Sequence, residues 1–173
     1  MVAPELQGMD IMAATTATRA MTLAGLGSAA MLAGAFGFQY IGGMAPCQLC
    51  LWQRWPHAAA VLILGLALAT GWRWLAWAGA LAALATAGIG LFHAGVEQGW
   101  WEFISSCTQG SIAGLSGADL LDPTLATAPP VRCDAIPWSL MGISMAGWNA
   151  IASAGLALVW AFAATRPRQA GRE

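Results

Sequence analysis

Charged residues divide the chain into long uncharged stretches, and the lengths of these stretches predict its helices. The four stretches are residues 20–53, 55–72, 74–96 and 135–165. An α-helix needs roughly 17–25 mainly apolar residues to cross the ~30 Å hydrocarbon layer of a bilayer. The pattern therefore predicts an all-α membrane protein with four transmembrane helices. The predicted spans are approximately residues 20–41, 55–71, 74–93 and 138–164.

The segments outside these spans form two tails and two external loops. A transmembrane domain, residues 20–165, lies between an N-terminal tail, residues 1–19, and a C-terminal tail, residues 166–173. An even number of spans places both tails on one side, and the short turn around Gly71 makes its flanking helices antiparallel neighbours. We expect an antiparallel four-helix transmembrane bundle. Its two external loops are predicted at about residues 42–54 and 94–137.

The placement of the arginines predicts the orientation of the bundle, because cytoplasmic loops retain positive charge. Cytoplasmic termini would leave more arginines inside than outside. The inner residues would be Arg19, Arg73, Arg166, Arg168 and Arg172, and the outer ones Arg54 and Arg132. We therefore expect two cytoplasmic tails, with both external loops on the opposite side of the membrane.

Composition agrees with a membrane protein and excludes several functions. Hydrophobic residues make up 58% of the chain and charged residues 9%, against ~45–50% and ~25% in soluble domains. A net charge of -1 without any lysine leaves no basic surface for nucleic acid. No predicted span carries a charge near its middle, which disfavours a channel or transporter. The segment Ala33-Gly34-Ala35 resembles a signal-peptide cleavage site, but the apolar run continues to Ile41, beyond an ordinary signal core.

All four cysteines fall in the two predicted external loops. Cys47 and Cys50 form a C-x-x-C in the first loop, and Cys107 and Cys133 lie in the second. Thiols outside the cytoplasm tend to form disulfides. Structural disulfides in a non-enzymatic membrane subunit are one alternative, although a C-x-x-C closes too small a loop to stabilise much. A zinc site is another, although zinc usually binds two closely spaced half-sites, so we expect no metal.

The surroundings of the C-x-x-C favour a reactive thiolate. If the second helix begins near Cys47, its unpaired backbone N–H groups and its dipole stabilise negative charge there. Arg54 follows Cys50 by four residues, which places the two on one helical face, provided that Pro56 does not break the helix. A neighbouring cation lowers the pKa of a thiol further. The alternative is that Arg54 only anchors the helix at the membrane interface.

Two sequence runs carry a resemblance to a known family. The first is Ala-Pro-Cys-Gln-Leu-Cys-Leu-Trp-Gln-Arg-Trp-Pro-His, residues 45–57. The second begins at Cys133-Asp134, passes Pro137-Trp138 and ends in Gly-Ile-Ser-Met-Ala-Gly-Trp-Asn, residues 142–149. Together they closely resemble the bacterial disulfide bond formation protein B family, DsbB. The resemblance implies a multi-pass protein of the bacterial inner membrane, with both cysteine loops in the periplasm.

The resemblance also implies a redox relay. In that family a soluble thioredoxin-fold oxidase, DsbA, is reoxidised by the long-loop pair, and the C-x-x-C passes two electrons to a membrane quinone. By this resemblance Cys107 forms the mixed disulfide with the partner, and Cys133 resolves it and exchanges with Cys47. Cys50 is then the thiolate that meets the quinone, either ubiquinone or menaquinone. Arg54 would stabilise both that thiolate and the reduced quinone.

The sequence also gives expectations for three polar residues and leaves one alternative family open. His93, at the outer end of span three, is a candidate to bind a quinone oxygen or to move a proton. Glu97 lies one helical turn beyond it and could pair with it, although we expect a solvated loop carboxylate. His57 is expected to be a boundary residue. A vitamin K epoxide reductase-like protein is an alternative, but its quinone-facing C-x-x-C would belong near the last span.

Overall fold

Four α-helices dominate the computed structural model, which describes residues 4–103 and 131–166, with side chains from Thr15 onward. Two short strands precede the last helix. The helices are α1 Pro4–Tyr40, α2 Gln48–Thr70, α3 Leu75–Glu97 and α4 Met145–Thr165. The strands are β1 Ser139–Leu140 and β2 Ile143–Ser144. The prediction of a helical protein with four helices is confirmed.

Three segments of the described chain are long and apolar enough to cross a membrane. They are Thr15–Tyr40, Leu75–Glu97 and Met145–Thr165. Large apolar side chains are exposed on the outer faces of the helices, as lipid contact would require. Examples are Leu23, Leu62, Leu66, Leu81 and Leu158. Helix α2 is most polar in its first three turns, which carry Gln53, Arg54 and His57.

The helices pack around a ring. Helix α1 contacts α2 and α4, and α3 contacts the same two helices from the other side. The connection between α2 and α3 is short because Gly71 adopts φ 70° and donates its N–H to the carbonyl of Ala67 at 2.9 Å. This left-handed position suits glycine. Helices α2 and α3 are therefore antiparallel neighbours.

One end of the ring is packed tightly around Trp160, and we call it the tryptophan end. The indole of Trp160 is fully buried among alanines from the other helices and Leu64 of α2. A Cβ atom at Gly79 would lie 2.5 Å from the indole, and one at Gly25 would lie 2.5 Å from Leu64. Small residues thus allow helix backbones to approach closely where lipid provides no hydrophobic drive.

The last helix begins later than the predicted span 138–164. Residues Ser139 to Ser144 form a two-stranded hairpin in which Ser139 pairs with Ser144 and Leu140 with Ile143. Its two turn residues, Met141 and Gly142, have φ values of 53° and 76°, as a two-residue hairpin requires. The Ser144 hydroxyl then accepts the N–H of Gly147 at 3.1 Å and caps α4.

The first two helices begin earlier than their predicted spans. Helix α1 starts at Pro4 rather than at residue 20, so its backbone continues through most of the predicted N-terminal tail. Helix α2 starts at Gln48 rather than at residue 55. The additional turns of α2 are more polar than a span and carry Cys50 and Arg54. Helix α2 therefore presents these side chains at its N-terminal end, beside the end of α3.

Candidate active site

The C-x-x-C lies at the first turn of α2. Cys47 is the N-cap residue with an extended backbone, φ −75° and ψ 173°, and its Sγ accepts the N–H of Cys50 at 3.3 Å. The Cys47 thiol also donates to the Cys50 sulfur at 3.3 Å. Pro56 lies inside the helix without ending it, because α2 continues to Thr70. Both sulfur atoms are therefore held at the electropositive end of an unbroken helix.

The pKa values of the two thiols are shifted in opposite directions. Both cysteines precede the predicted span 55–71. The hydrogen bond from Cys47 lowers the pKa of Cys50 to about 7, against the opposing effect of burial. Arg54 also lowers it, but it is the smallest of the contributing groups. The same hydrogen bond, together with burial, raises the pKa of Cys47. Cys50 is thus the thiolate of the reduced pair, and Cys47 is the thiol that stabilises it.

A third cysteine lies against the pair. Cys133 is fully buried and packs in one cluster with Cys47, Leu49 and Val96. The side chain of Cys133 also contributes to the raised pKa of the Cys47 thiol. The structure therefore brings Cys133 to Cys47, the residue with which it was expected to exchange. Cys107 lies outside the described residues.

His93 connects the thiols to α3. Its Nε2 atom lies 3.6 Å from the Cys47 sulfur, 3.2 Å from the Cys133 carbonyl oxygen and 3.8 Å from a Glu97 carboxylate oxygen. The side chain of Glu97 is 2% exposed, so the expectation of a solvated carboxylate is wrong. Burial raises the pKa of Glu97, while Ser144, in the hairpin before α4, lowers it. The structure thus shows the pairing of Glu97 with His93 that had been the less favoured alternative.

A chain of buried side-chain hydrogen bonds continues from His93 into the bundle. The Gln53 amide nitrogen lies 2.9 Å from His93 Nδ1, and the Asn149 amide nitrogen donates to Gln53 Oε1 at 2.6 Å. Asn149 Oδ1 then lies 3.0 Å from His57 Nε2. Sequence reasoning missed Gln53 and Asn149 and treated His57 only as a boundary residue, whereas the structure buries His57 and joins it to Asn149. The available signal was the presence of polar side chains in otherwise apolar helices.

Arg54 is held mainly by α1. Its Nη1 donates to Gln39 Oε1 at 2.6 Å and its Nη2 to the Ala35 carbonyl at 3.3 Å. The guanidinium carbon lies 4.9 Å from the centre of the Phe36 ring. The Nε atom is buried and has no partner among the described residues. Arg54 therefore joins α2 to α1 while keeping one donor available.

These residues surround a cavity of about 390 Å³ between α1, α2 and α4, within the ~300–1,000 Å³ of ligand pockets. Its walls include the apolar side chains of Phe38, Trp138 and Met145. Three buried polar atoms without partners in the described chain belong to residues that line it. They are Arg54 Nε, His57 Nδ1 and Glu97 Oε2. Cys47, Cys50 and His93 also line the cavity, so the thiols face a mainly apolar pocket with a few polar groups.

Cys47, Cys50 and His93 also form a compact donor set. Their ligand atoms all lie within 4.8 Å of one another. Thiolate and imidazole are ligands that suit zinc. The same arrangement suits thiol exchange, because His93 and Cys133 both approach the sulfur of Cys47. A metal chelator distinguishes the two uses, because it should remove activity only if the site requires zinc.

Comparison with known proteins identifies the family. Residues 17–163 match the family described as Disulfide bond formation protein DsbB. A disulfide bond formation protein B of Verminephrobacter eiseniae is 33% identical, and the match covers 83% of this chain and 84% of that protein. One of Hahella chejuensis is 31% identical over 83% of this chain and 91% of its own length. No solved structure matches the chain significantly. The chain therefore belongs to the DsbB family of disulfide bond formation proteins.

Proposed function

We propose that this protein is a membrane thiol oxidase that reoxidises a soluble DsbA-like dithiol oxidase and passes the electrons to a membrane quinone. The observation that carries the proposal is the packing of Cys47, Cys50 and Cys133 in one cluster, in which Cys47 and Cys50 also line an apolar cavity. Membership of the DsbB family supports the same activity and disfavours the vitamin K epoxide reductase-like alternative. Inert disulfides would not need a thiolate of lowered pKa facing a cavity.

The proposed topology has four spans in the bacterial inner membrane, with α2 as the fourth crossing helix. Residues 55–71 of α2 are uncharged and lie between two helices that are each able to span a membrane. The positive-inside distribution of arginine supports cytoplasmic termini. The cysteine loops, about residues 42–54 and 94–137, then lie in the periplasm, where a soluble partner can reach them.

The first half of the proposed relay consists of thiol–disulfide exchanges. A thiolate of the partner attacks Cys107 in a Cys107–Cys133 disulfide, forms a mixed disulfide and releases Cys133 as a thiolate. That thiolate attacks Cys47 in a Cys47–Cys50 disulfide and releases Cys50. The packing of Cys133 against Cys47 supports this choice of sulfur. The lowered pKa of Cys50 makes it the better leaving group.

The second half completes the exchange and leaves the C-x-x-C reduced. The second thiol of the partner displaces Cys107, which attacks Cys133 and releases Cys47. The partner and the Cys107–Cys133 pair are then oxidised, while Cys47 and Cys50 hold two electrons and one proton. His93 lies 3.6 Å from the Cys47 sulfur and is placed to exchange the remaining proton. Glu97 is its neighbour on the far side.

The cavity fits a quinone headgroup, either ubiquinone or menaquinone. Its walls are mainly apolar, and the unpartnered Nε–H of Arg54 is a donor for a quinone oxygen. Cys50, Arg54 and His93 would hold the headgroup, which when bound accepts two electrons and two protons. The dithiol supplies the electrons as the Cys47–Cys50 disulfide forms again. Arg54 would also stabilise negative charge on the reduced headgroup.

The test is quinone reduction by the purified protein in the presence of a reduced thioredoxin-fold partner. We expect turnover with the native chain, loss of turnover with Cys50→Ser and normal turnover with Ser28→Ala, a buried control on α1. Activity should persist in a metal chelator. Absence of turnover in the native chain, full activity of Cys50→Ser or loss of activity on chelation would each contradict the proposal.

A further inference from the structure

The inner part of the cavity contains buried polar side chains that the thiol relay does not use. His57 is 3% exposed and Asn149 is 9% exposed, and both line the cavity. Ser153, one turn further along α4, is fully buried beside them. Polar side chains inside membrane helices are costly and usually mark a ligand or ion site. These residues therefore require an explanation beyond packing.

The hydrogen-bond network fixes the orientation of the Asn149 amide. Its nitrogen donates to Gln53 Oε1 at 2.6 Å and to the Thr86 hydroxyl at 3.2 Å. The Thr86 hydroxyl in turn donates to the backbone carbonyl of Gln53 at 3.1 Å. Both hydrogens of the Asn149 amide are thus used. Its oxygen is therefore the atom that faces His57, and an oxygen can only accept.

The orientation of Asn149 determines which nitrogen of His57 carries the proton. Because Asn149 Oδ1 lies 3.0 Å from His57 Nε2, Nε2 must donate and carries the hydrogen. Neutral imidazole has only one N–H group, so Nδ1 is an acceptor. Nδ1 is buried and has no hydrogen-bond partner within the described part of the chain. A buried acceptor without a partner is unfavourable unless a ligand completes it.

We propose that His57 accepts a hydrogen bond from a hydroxyl group of the ligand, so that the cavity binds a hydroquinone in preference to the corresponding quinone. The argument rests on the proposed function, which assigns this cavity to a quinone. A quinone offers only carbonyl acceptors, whereas its reduced form offers two hydroxyl donors. The Arg54 Nε–H donates to an oxygen of either form. His57 is therefore the group that distinguishes the two oxidation states.

This selectivity would favour oxidation of the cysteines. As the Cys47–Cys50 disulfide forms, the pair would supply two electrons and the proton of the Cys47 thiol, and a second proton would come from water, so that both carbonyls become hydroxyls. A site that binds the reduced form more tightly shifts that equilibrium towards the disulfide by the ratio of the two affinities. It also slows release of the product. His57 is thus a positioning and selectivity residue rather than a member of the thiol relay.

The test compares two replacements that retain different halves of the imidazole. His57→Gln places an amide nitrogen near the Nε2 position and removes the acceptor at Nδ1, whereas His57→Asn keeps an acceptor at Nδ1. Binding of a short-chain ubiquinone and of its quinol would be measured by tryptophan fluorescence under anaerobic conditions. A Cys50→Ser background prevents redox reaction with either form.

We expect His57→Gln to weaken quinol binding about tenfold while quinone binding changes less than twofold, since removing one buried hydrogen bond has this size. His57→Asn should keep the preference for quinol. Ser28→Ala, a buried polar residue of α1 outside the cavity lining, should change neither constant. An equal loss for both forms, or an unchanged ratio in His57→Gln, would overturn the inference.

A measurement on the native chain does not depend on the folding of these variants. Methylating both hydroxyls of the quinol removes its donors while retaining the ring, and we expect about tenfold weaker binding. Equal affinity for the quinol and its dimethyl ether would also refute the role of His57. If the native chain binds neither quinone nor quinol, the proposed function itself fails. If it reduces quinone but shows no preference for quinol, only this inference fails.

Discussion

The two ends of the helix bundle differ in what fills their interior. Around Trp160 the interior is built mainly from alanine, glycine and leucine, with backbones in close approach. Around Cys47 and His93, which we call the thiol end, the interior holds cysteines, imidazoles, amides and a cavity. The tightly packed small and apolar residues thus lie at one end of the bundle, and the cysteines and buried polar side chains lie at the other. Changes at the tryptophan end should affect stability, and changes at the thiol end should affect redox reactions.

Cys47→Ser should produce the largest effect and remove activity without loss of the fold. The variant lacks the sulfur that, in the proposed relay, exchanges with Cys133 and forms the disulfide with Cys50. Serine is, however, a preferred N-cap residue, so it can still accept the Cys50 N–H and start α2. We expect no detectable quinone reduction and a melting temperature close to that of the native chain. A large fall in melting temperature would show that Cys47 is mainly a packing residue of the thiol end.

The second largest effect should be the change of Cys50 alkylation with pH. Its pKa is lowered to about 7 from a usual value of 9.0, so the thiolate persists above about pH 7 and is lost below it. Alkylation of Cys50 in the reduced protein should fall roughly tenfold per pH unit below that value, because only the thiolate reacts. Mass spectrometry of the Cys50 peptide would follow the reaction.

Cys47→Ala is the control for this pH profile. The largest cause of the lowered pKa is the hydrogen bond from Cys47, and alanine cannot donate it. The midpoint of alkylation should therefore move to higher pH in this variant. An unchanged midpoint would mean that the helix terminus or Arg54 sets the acidity of Cys50, and that the pairing of the two sulfurs does not.

The number of helices was predictable from the sequence, while much of the thiol end was not. Charge-free stretches revealed four helices because a span must exclude charge along its whole length. The C-x-x-C and Arg54 were visible because they are close in sequence. Gln53 and Asn149 are 96 positions apart, and nothing in either segment shows that their amides meet. Their contact depends on the rotation and depth of two helices, which apolar patterning leaves undetermined.

The start of α4 shows a different limit. The hairpin turn at Met141 and Gly142 requires positive φ at both residues, and Met-Gly lacks the Asn-Gly or Asp-Gly signal typical of such turns. Hydrophobicity alone therefore extended the span back to Trp138. The apolar pattern therefore gave no sign of the role of Ser144, which caps α4. Local turn geometry, rather than apolar length, decides where this helix begins.

At the tryptophan end, Gly79→Ala should reduce stability while leaving the chemistry of the folded protein unchanged. The new Cβ would lie 2.5 Å from the body of the Trp160 indole, which cannot move as a flexible chain end can. Overpacking of this kind typically costs about 1–3 kcal/mol. Thermal unfolding in detergent would measure the loss, and quinone reduction per folded molecule should remain normal.

Gly88→Ala is a matched control on the same helix. No atom lies within 4 Å of the Cβ that it would add, and alanine favours a helix over glycine by about 0.8–1.0 kcal/mol. We therefore expect Gly88→Ala to be neutral or slightly stabilising. Equal destabilisation by both substitutions would show that α3 requires glycine for a reason other than contact with Trp160.

Arg54→Ala should have the smallest effect on the thiols and a selective effect on the ligand. Arg54 is the weakest of the groups that lower the pKa of Cys50, so the alkylation midpoint should move up only slightly. Its Nε–H has no partner in the described part of the chain, and Arg54 lines a cavity whose walls are mainly apolar. Loss of a charged donor from such a site should weaken quinone binding about tenfold or more.

Gln39→Ala provides the comparison that separates anchoring from ligand binding by Arg54. Gln39 accepts a 2.6 Å hydrogen bond from Arg54 but does not belong to the cavity lining. If Arg54 acts on the ligand, Gln39→Ala should weaken quinone binding much less than Arg54→Ala does. If the two variants weaken it equally, Arg54 serves mainly to fix α2 against α1. In that case the polar contacts of the thiol end would have a packing role, and its contrast with the tryptophan end would be smaller.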